Sequence, residues 1–269
     1  RDAVVEHLAA VQAHVSGRGV GEGTVQVGDW LAPDAPDDRR GKAKADPDVV
    51  STAVLYRSSM LASRMAEAVG RDELAGDLAE LGRTVLAAFE ETYLSRAPFR
   101  LQSDCATVYA LAIAFDMLVG DDRAAAGARL DELVIDNGYR ISTGFAGTPF
   151  ILDALTSTGH ADTAARLPFQ RERPSWLYPV GMGATTVWER WDSLLPDGSV
   201  NPGQMTSFNH YALGAVATWL HESLAGITAA EPGYRRIRVA PVFAAQLEWA
   251  AGRVTTAHGE AGVPGERAG

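Results

Sequence analysis

Residues 104–119 read DCATVYALAIAFDMLV, an almost unbroken run of small and apolar side chains. A helix that is apolar on every side has no solvent face, so we expect this one to be covered by other helices. The neighbouring segments suit that role. Residues 72–94 are amphipathic through Leu74 and Leu78, and residues 121–135 form a more charged helix. The predicted fold class is therefore mainly α.

Helical patterns also occur on both sides of this centre, at 1–16, 48–70, 148–159, 161–170 and 205–224. Asp48 is a suitable N-cap for the second of these, and Pro149 suits a first helical turn. Between the helices, short turns alternate with longer polar segments such as 32–48. Helices joined in this way resemble an α/α toroid, which gathers its functional loops at one end.

The period of the sequence changes after Pro232. Residues 234–240 alternate between apolar and polar side chains with period two, and residues 246–256 fit a second strand. We therefore expect a helical part over residues 1–232 and the beginning of a β part over residues 233–269.

Composition argues against several classes of partner. The 269 residues carry a formal charge of −10, so they lack the basic stripe that a nucleic-acid partner requires. The single cysteine, Cys105, forms no intrachain disulfide, and no His or Cys pair has metal-ligand spacing, so we expect no metal. No apolar run is long enough for a membrane span, and residues 1–3 do not belong to a signal peptide. A cytoplasmic protein without a membrane partner is the expectation.

Candidate site residues are most concentrated in residues 183–192, GATTVWERWD. Glu189 stands between Trp188 and Arg190, with Trp191 two positions further on. This combination is costly to bury without partners but suits a sugar pocket, because indoles stack on pyranose faces and a carboxylate can move a proton. The alternative is that Trp188 and Trp191, three apart, form the buried side of a helix while Glu189 and Arg190 face water.

Three other segments carry candidate site residues. Asp29 and Trp30 precede the loop 32–48, and the alternative there is a turn aspartate beside a packed tryptophan. His210 lies near the predicted start of a helix, where the alternative is a histidine satisfied in the core or at the surface. Residues 138–149 form a glycine-spaced loop directly before a helix, and such a loop brings its backbone close to a ligand.

Several of these blocks together resemble a known family. PSWLY at 174–178, GATT at 183–186 and WERW at 188–191 are similar to the signature of the bacterial α-L-rhamnosidases of glycoside hydrolase family 78. Other blocks of that family resemble, in the same order, residues 28–31 (GDWL), 143–145 (TGF), 147–149 (GTP) and 209–211 (NHY). The resemblance extends from about residue 1 to residue 242.

The resemblance implies an (α/α)6 barrel that removes terminal α-L-rhamnose from a glycoside or oligosaccharide, with inversion and without a cofactor. It assigns the general base to Glu189, places Trp30 in the wall of the rhamnose pocket, and gives His210 a hydrogen bond to the sugar or to the attacking water. Further candidates for substrate binding are Asp29, Trp188, Arg190 and Trp191.

The resemblance also implies a division of the chain. Residues 1–232 correspond to the C-terminal part of the barrel, and residues 233–269 correspond to the start of a truncated C-terminal β domain. One departure concerns the general acid. In the family this acid is a glutamate in an Arg-Asp-Glu-Arg block upstream, and this sequence contains no such block. An inverting mechanism requires two carboxyl groups, so we expect a missing N-terminal segment or self-association, and an isolated chain that lacks one of the two groups.

Two alternatives remain open at this point. The first is a non-catalytic helical domain that binds sugar or has a structural role, because part of a toroid exposes apolar helix faces that find a partner. The second is another α/α-toroid carbohydrate hydrolase, against which the PSWLY block argues.

Overall fold

A computed structural model describes residues 27–36, 39, 41–242 and 246–263. The helix expected at 1–16 lies outside the described residues. The described helices are α1 (Pro47–Ala68), α2 (Asp72–Tyr93), α3 (Ala106–Ala114), α4 (Gly120–Asp136), α5 (Ile151–Ser157), α6 (Ala161–Arg166), α7 (Leu177–Gly181) and α8 (Val216–Trp219). In this part of the chain no helix combines the length and the apolarity that crossing a bilayer requires.

The N-cap of helix α1 lies two residues earlier than the sequence indicates. The side chain of Asp46 is the N-cap and accepts a hydrogen bond from the amide of Asp48 at 2.9 Å. Pro47 occupies the first helical position, where its missing N–H costs nothing. The prediction of Asp48 as the cap was wrong because the proline can belong to the helix.

Helix α3 is the buried centre of the fold, as its composition predicts. Residues 106–113 are all buried, and the helix packs against α1, α4 and α5. Because the helix has no solvent face, its apolar side chains need helices on several sides, and these three neighbours supply them.

Short and long connections alternate along the helices. The loops 69–71, 115–119 and 158–160 are short, so α1–α2, α3–α4 and α5–α6 are hairpins. The segments 27–46, 94–105, 137–150 and 170–211 are the long connections, and hydrogen bonds tie them to one another. Gln102 donates to Asp46, the amide of Ile141 donates to Pro174, and the amide of Phe145 donates to Trp30. The long connections therefore meet at one end of the helices.

The last predicted helix, 205–224, is much shorter in the structure. Residues 205–211 are not helical, and Met205 has a φ of +60°. A 3₁₀ turn at Ala212–Ala215 leads into α8, which ends in a π turn at Leu220–Leu224. The helical periodicity of 205–211 was misleading because that backbone bonds to residues 187–189 of the same long connection instead.

Short antiparallel hairpins supply the β structure. β1 (Leu94–Arg96) pairs with β2 (Phe99–Leu101), β3 (Ile227–Ala229) with β4 (Ile237–Val239), and β5 (Gly252–Thr256) with β6 (Gly259–Val263). The predicted strands at 234–240 and 246–256 correspond to β4 and β5, which are shorter. β3 was not predicted, and because it pairs with β4 the β part begins before residue 233.

Candidate active site

Glu189 lies in an irregular segment that is bonded to the backbone around Ser207. The Glu189 amide donates to the Ser207 carbonyl at 2.9 Å, and the His210 amide donates to the Val187 carbonyl at 2.8 Å. The Ser207 amide in turn donates to Glu189 Oε2 at 3.3 Å. Within the described residues the half-buried Glu189 carboxylate makes no ion pair. These contacts fix the Glu189 carboxylate next to the His210 segment.

Trp188 and Trp191 lie in the interior. Trp188 packs edge-on against Phe208 with ring centroids 5.3 Å apart, and Trp191 packs edge-on against Trp176 at 5.4 Å. Their burial matches the core alternative, but the segment is not a helix as that alternative assumed. Both indoles are therefore buried beside Glu189 in the chain, and each has an aromatic ring as a neighbour.

Arg190 turns away from Glu189. Its buried guanidinium donates to both carboxylate oxygens of Asp192, from Nε at 2.6 Å and from Nη2 at 3.1 Å. It also donates to the carbonyl of Gln204, and Asn201 donates to the carboxylate of Asp192. Arg190 therefore ties together residues 190, 192 and 204 in the connection between α7 and α8. Its guanidinium is engaged by Asp192 and not by Glu189.

His210 stands in a stack of three rings. Its imidazole lies 5.1 Å from the ring of Phe145 with 21° between the planes, and 5.4 Å from the exposed ring of Tyr211 with 7° between the planes. The Phe145 amide donates to the Trp30 carbonyl at 2.9 Å. Phe145 thus links the backbone of Trp30 to the ring of His210, and the His210 amide is bonded to the segment that carries Glu189.

Asp29 is buried beneath this group, with 1% of its surface exposed. Its carboxylate accepts hydrogen bonds from the Thr107 hydroxyl and from the amides of Gly144, Ala146 and Gly147. Burial raises the pKa of the Asp29 carboxyl, and these four hydrogen bonds act in the opposite direction. The glycine-spaced loop expected to approach a ligand therefore directs its N–H groups at a side chain of the protein.

Two cavities flank the Glu189 segment. One has a volume of about 340 Å³ and an apolar lining that includes Trp176, Val187 and Trp188. The other, of about 210 Å³, is lined by residues that include Arg173 and Asp192. Neither is lined by Trp30, Glu189 or His210, so these three side chains lie outside both cavities. Across the described ranges no group of His, Cys, Asp and Glu side chains is arranged to hold a metal ion.

Phe145, Ser207 and Thr107 contribute to the site although none of them was among the candidate site residues predicted from the sequence. Phe145 lies in the glycine-spaced loop, so its position gave a partial signal. Thr107 lies inside the apolar run of α3, where a hydroxyl looks like an ordinary core residue. Ser207 acts through its backbone, which no side-chain pattern reveals.

Comparison with known proteins gives two family matches that follow each other along the chain. Residues 4–224 match the bacterial alpha-L-rhamnosidase 6 hairpin glycosidase domain, and residues 226–266 match the bacterial alpha-L-rhamnosidase C-terminal domain. Among curated relatives, an alpha-L-rhamnosidase of Streptomyces avermitilis is 38% identical over 232 residues, which cover 86% of this chain and 22% of that protein. One of Formosa agariphila is 34% identical and is covered over 25% of its length.

Solved structures agree with these matches. The crystal structure of an α-L-rhamnosidase from Aspergillus terreus superposes with a TM-score of 0.88 at 36% identity, covering 96% of this chain and 31% of that one. The Streptomyces avermitilis enzyme, solved in complex with L-rhamnose, has a TM-score of 0.87 at 35% identity and is covered over 24% of its chain. The chain therefore spans between a fifth and a third of the length of these relatives.

Proposed function

This chain belongs to the bacterial α-L-rhamnosidase family of six-hairpin glycosidases, and from that membership we propose that it is part of a catalytic domain that releases terminal α-L-rhamnose. The predicted class, a helical part of an (α/α)6 barrel followed by antiparallel strands, is confirmed by the matching domain and structures. The structure of a relative with bound L-rhamnose supports a rhamnose-containing substrate.

The observation that carries the proposal is the set of contacts that the Glu189 carboxylate makes. A general base must be ionised and must reach the water that it deprotonates. The Glu189 carboxylate is half-buried, accepts a single hydrogen bond from the Ser207 amide, and makes no ion pair within the described residues. We assign it the removal of a proton from water as that water attacks the anomeric carbon from the face opposite the leaving oxygen, which inverts the configuration.

The neighbours of Glu189 have distinct roles in this mechanism. The Ala212 amide donates to His210 Nδ1 at 3.3 Å, which in the neutral ring leaves the proton on Nε2. His210 Nε2–H then donates to a rhamnose hydroxyl or to the attacking water, and Trp30 stacks against the sugar ring. Arg190 is paired with Asp192 and therefore does not neutralise Glu189.

The second carboxyl group is proposed to come from an upstream part of the domain. Inverting glycosidases place two carboxyl groups about 6.5–9.5 Å apart with room for a water. Two acidic side chains of the long connections are already engaged: Asp192 by Arg190 and Asn201, and Asp29 by four donors. We therefore propose that this chain alone binds L-rhamnose but does not hydrolyse its glycosides.

Calorimetry of this chain with L-rhamnose, beside hydrolysis of p-nitrophenyl α-L-rhamnopyranoside, tests the proposal. We expect binding of L-rhamnose that Trp30→Ala abolishes and Glu189→Gln retains, with no turnover. In any longer form that hydrolyses the substrate, Glu189→Gln should lower kcat by about 10²–10⁴. Full turnover in that variant would show that another group is the base.

One outcome would favour the alternative of a non-catalytic domain. If a longer form that carries the upstream part binds L-rhamnose yet hydrolyses no aryl rhamnoside, the domain is a sugar-binding module. If no form binds rhamnose over other sugars, the substrate assignment is wrong.

A further inference from the structure

Asp29 is a buried carboxylate that the mechanism above does not use. Each of its two oxygens accepts two hydrogen bonds. Oδ2 accepts one from the Thr107 hydroxyl and one from the Gly144 amide, the latter at 2.8 Å. Oδ1 accepts from the amides of Ala146 at 3.0 Å and Gly147 at 3.1 Å. Every donor lies on another element, and three of the four belong to one loop. A carboxylate so engaged has no position left for a sugar hydroxyl.

We propose that Asp29 is a positioning residue, whose carboxylate holds the 143–148 loop so that Phe145 supports the imidazole of His210. The link to sugar binding rests on the proposed function, whereas the link to the ring stack does not. Asp29 would act through Phe145 and would not touch the substrate.

The packing around Gly144 shows how close this attachment is. A Cβ built on Gly144 would lie 2.4 Å from the Trp30 carbonyl oxygen and 2.6 Å from the Asp29 carbonyl oxygen. Both are backbone atoms that cannot move aside as a flexible side chain would. The loop therefore lies directly on the backbone of residues 29–30, and this approach brings its amides within reach of the Asp29 carboxylate.

Phe145 carries the effect from this attachment to the site. It lies between two residues whose amides bond to Asp29, and its own amide donates to Trp30. Its ring is then left to stack on His210 at 5.1 Å. Releasing the loop would free the ring that supports the imidazole, while the connection that carries His210 would keep its own bonds to Val187 and Ala212.

The test uses the whole chain with the variants Asp29→Asn and Thr107→Val. An asparagine amide nitrogen would face at least one backbone N–H donor, because all four partners of Asp29 are donors, so one end of the loop loses its acceptor. Thr107→Val removes a single donor at nearly constant shape and serves if Asp29→Asn does not fold. Asp34→Asn is the matched control, since Asp34 lies in the same long connection as Asp29 but its carboxylate pairs with Lys44 at 3.9 Å and not with the 143–148 loop.

Two measurements test the positioning role of Asp29 separately from the proposed binding of L-rhamnose. The NMR signals of the His210 ring, assigned by their loss in His210→Gln, report the stack with Phe145 and need no ligand. The Kd for L-rhamnose reports the consequence. We expect Asp29→Asn to move the His210 signals toward unstacked positions and to raise the Kd by about tenfold. Thr107→Val should act in the same direction but less, and Asp34→Asn should change neither.

The outcomes are distinguishable. Unchanged His210 signals in both Asp29→Asn and Thr107→Val would overturn the positioning role, even where thermal stability falls. Shifted signals with an unchanged Kd would overturn its part in sugar binding. Failure of the unaltered chain to bind L-rhamnose would count against the proposed function, while the ring signals would still decide whether Asp29 controls the stack.

Discussion

The imidazole of His210 stacks on the ring of Phe145, with centroids 5.1 Å apart and 21° between the planes. The two residues come from different long connections, 137–150 and 170–211, so the stack joins two parts of the candidate site. Trp30 is bonded to the first of these connections through the Phe145 amide, and Glu189 lies in the second.

Phe145→Leu should weaken L-rhamnose binding more than it weakens the fold. Leucine keeps most of the apolar volume but not the ring face, and an aromatic pair contributes about 0.5–1.5 kcal/mol beyond its burial. If His210 binds the sugar, the Kd should rise about two- to tenfold, measured by calorimetry. Phe150→Leu is the control, because Phe150 pairs edge-on with Phe115 away from His210. An equal loss of affinity in both variants would argue that the stack has no special role.

Gly144→Ala should destabilise the chain strongly. The added Cβ would meet the Trp30 and Asp29 carbonyl oxygens and the Ala32 nitrogen, all within 2.8 Å. Overpacking typically lowers the free energy of unfolding by about 1–3 kcal/mol. Because the added Cβ would meet backbone atoms, which cannot rotate away, we expect a loss of about 3 kcal/mol or more for this variant. The free energy of unfolding from urea titration measures the effect.

Gly76→Ala is the matched control for that substitution. Gly76 is an exposed residue inside α2, and a Cβ built on it meets nothing within 4 Å. Alanine in a helix interior is favoured over glycine by about 1 kcal/mol, so this variant should be slightly more stable than the parent. Similar free energies for both variants would contradict the close approach at Gly144.

The sequence predicts those parts of the fold that depend on local pattern. The apolar run of α3 has no polar side, so it identified the buried helix and, with it, a mainly helical fold. Asp29 shows where local pattern stops being informative. Three of its partners lie between 115 and 118 residues away, so nothing near Asp29 distinguishes a turn residue, a sugar ligand and an anchor.

Residues 205–211 show the opposite failure, a local pattern that tertiary bonds override. Their spacing of apolar side chains fits a helix, yet Ser207 and His210 bond to the Glu189 segment. Trp188 and Trp191 likewise have helical spacing but are buried in an irregular segment by Phe208 and Trp176. In both cases the local structure is determined by contacts with residues from outside the pattern, and the periodicity of a single segment carries no information about such contacts.

Cys105 should be unreactive while the chain is folded. It is buried at the start of α3, and burial raises the pKa of its thiol to about 11. Because the thiolate is the reactive form, labelling by iodoacetamide at pH 8 should be at least about a hundredfold slower than that of a free thiol. Mass spectrometry of the native and the urea-unfolded chain checks this. Cys105→Ala should remain unlabelled in both states, and rapid native labelling would show that the thiol is accessible.

The pair Asp104–Arg129 should make stability depend on pH in the acid range. Arg129 donates to both carboxylate oxygens of Asp104, from Nε at 3.0 Å and from Nη2 at 2.8 Å, and Tyr109 donates to the same carboxylate at 2.6 Å. The guanidinium of Arg129 is the main cause that lowers the pKa of Asp104 below its ordinary value. A carboxyl whose pKa is lower in the folded state stabilises the fold above its unfolded pKa, and this stabilisation is lost as the pH falls through the folded pKa.

Asp104→Asn should therefore reduce the free energy of unfolding at pH 7 by about 1 kcal/mol, a value discounted for solvent screening because the carboxylate is 37% exposed. The difference between parent and variant should shrink below a pH of about 3.9, where the unfolded chain binds the proton. Urea titrations at several pH values measure it. Asp77→Asn, at an exposed position in α2, should differ little from the parent at any pH. A pH-independent loss in Asp104→Asn would show that packing, and not the charge pair with Arg129, is what the substitution removes.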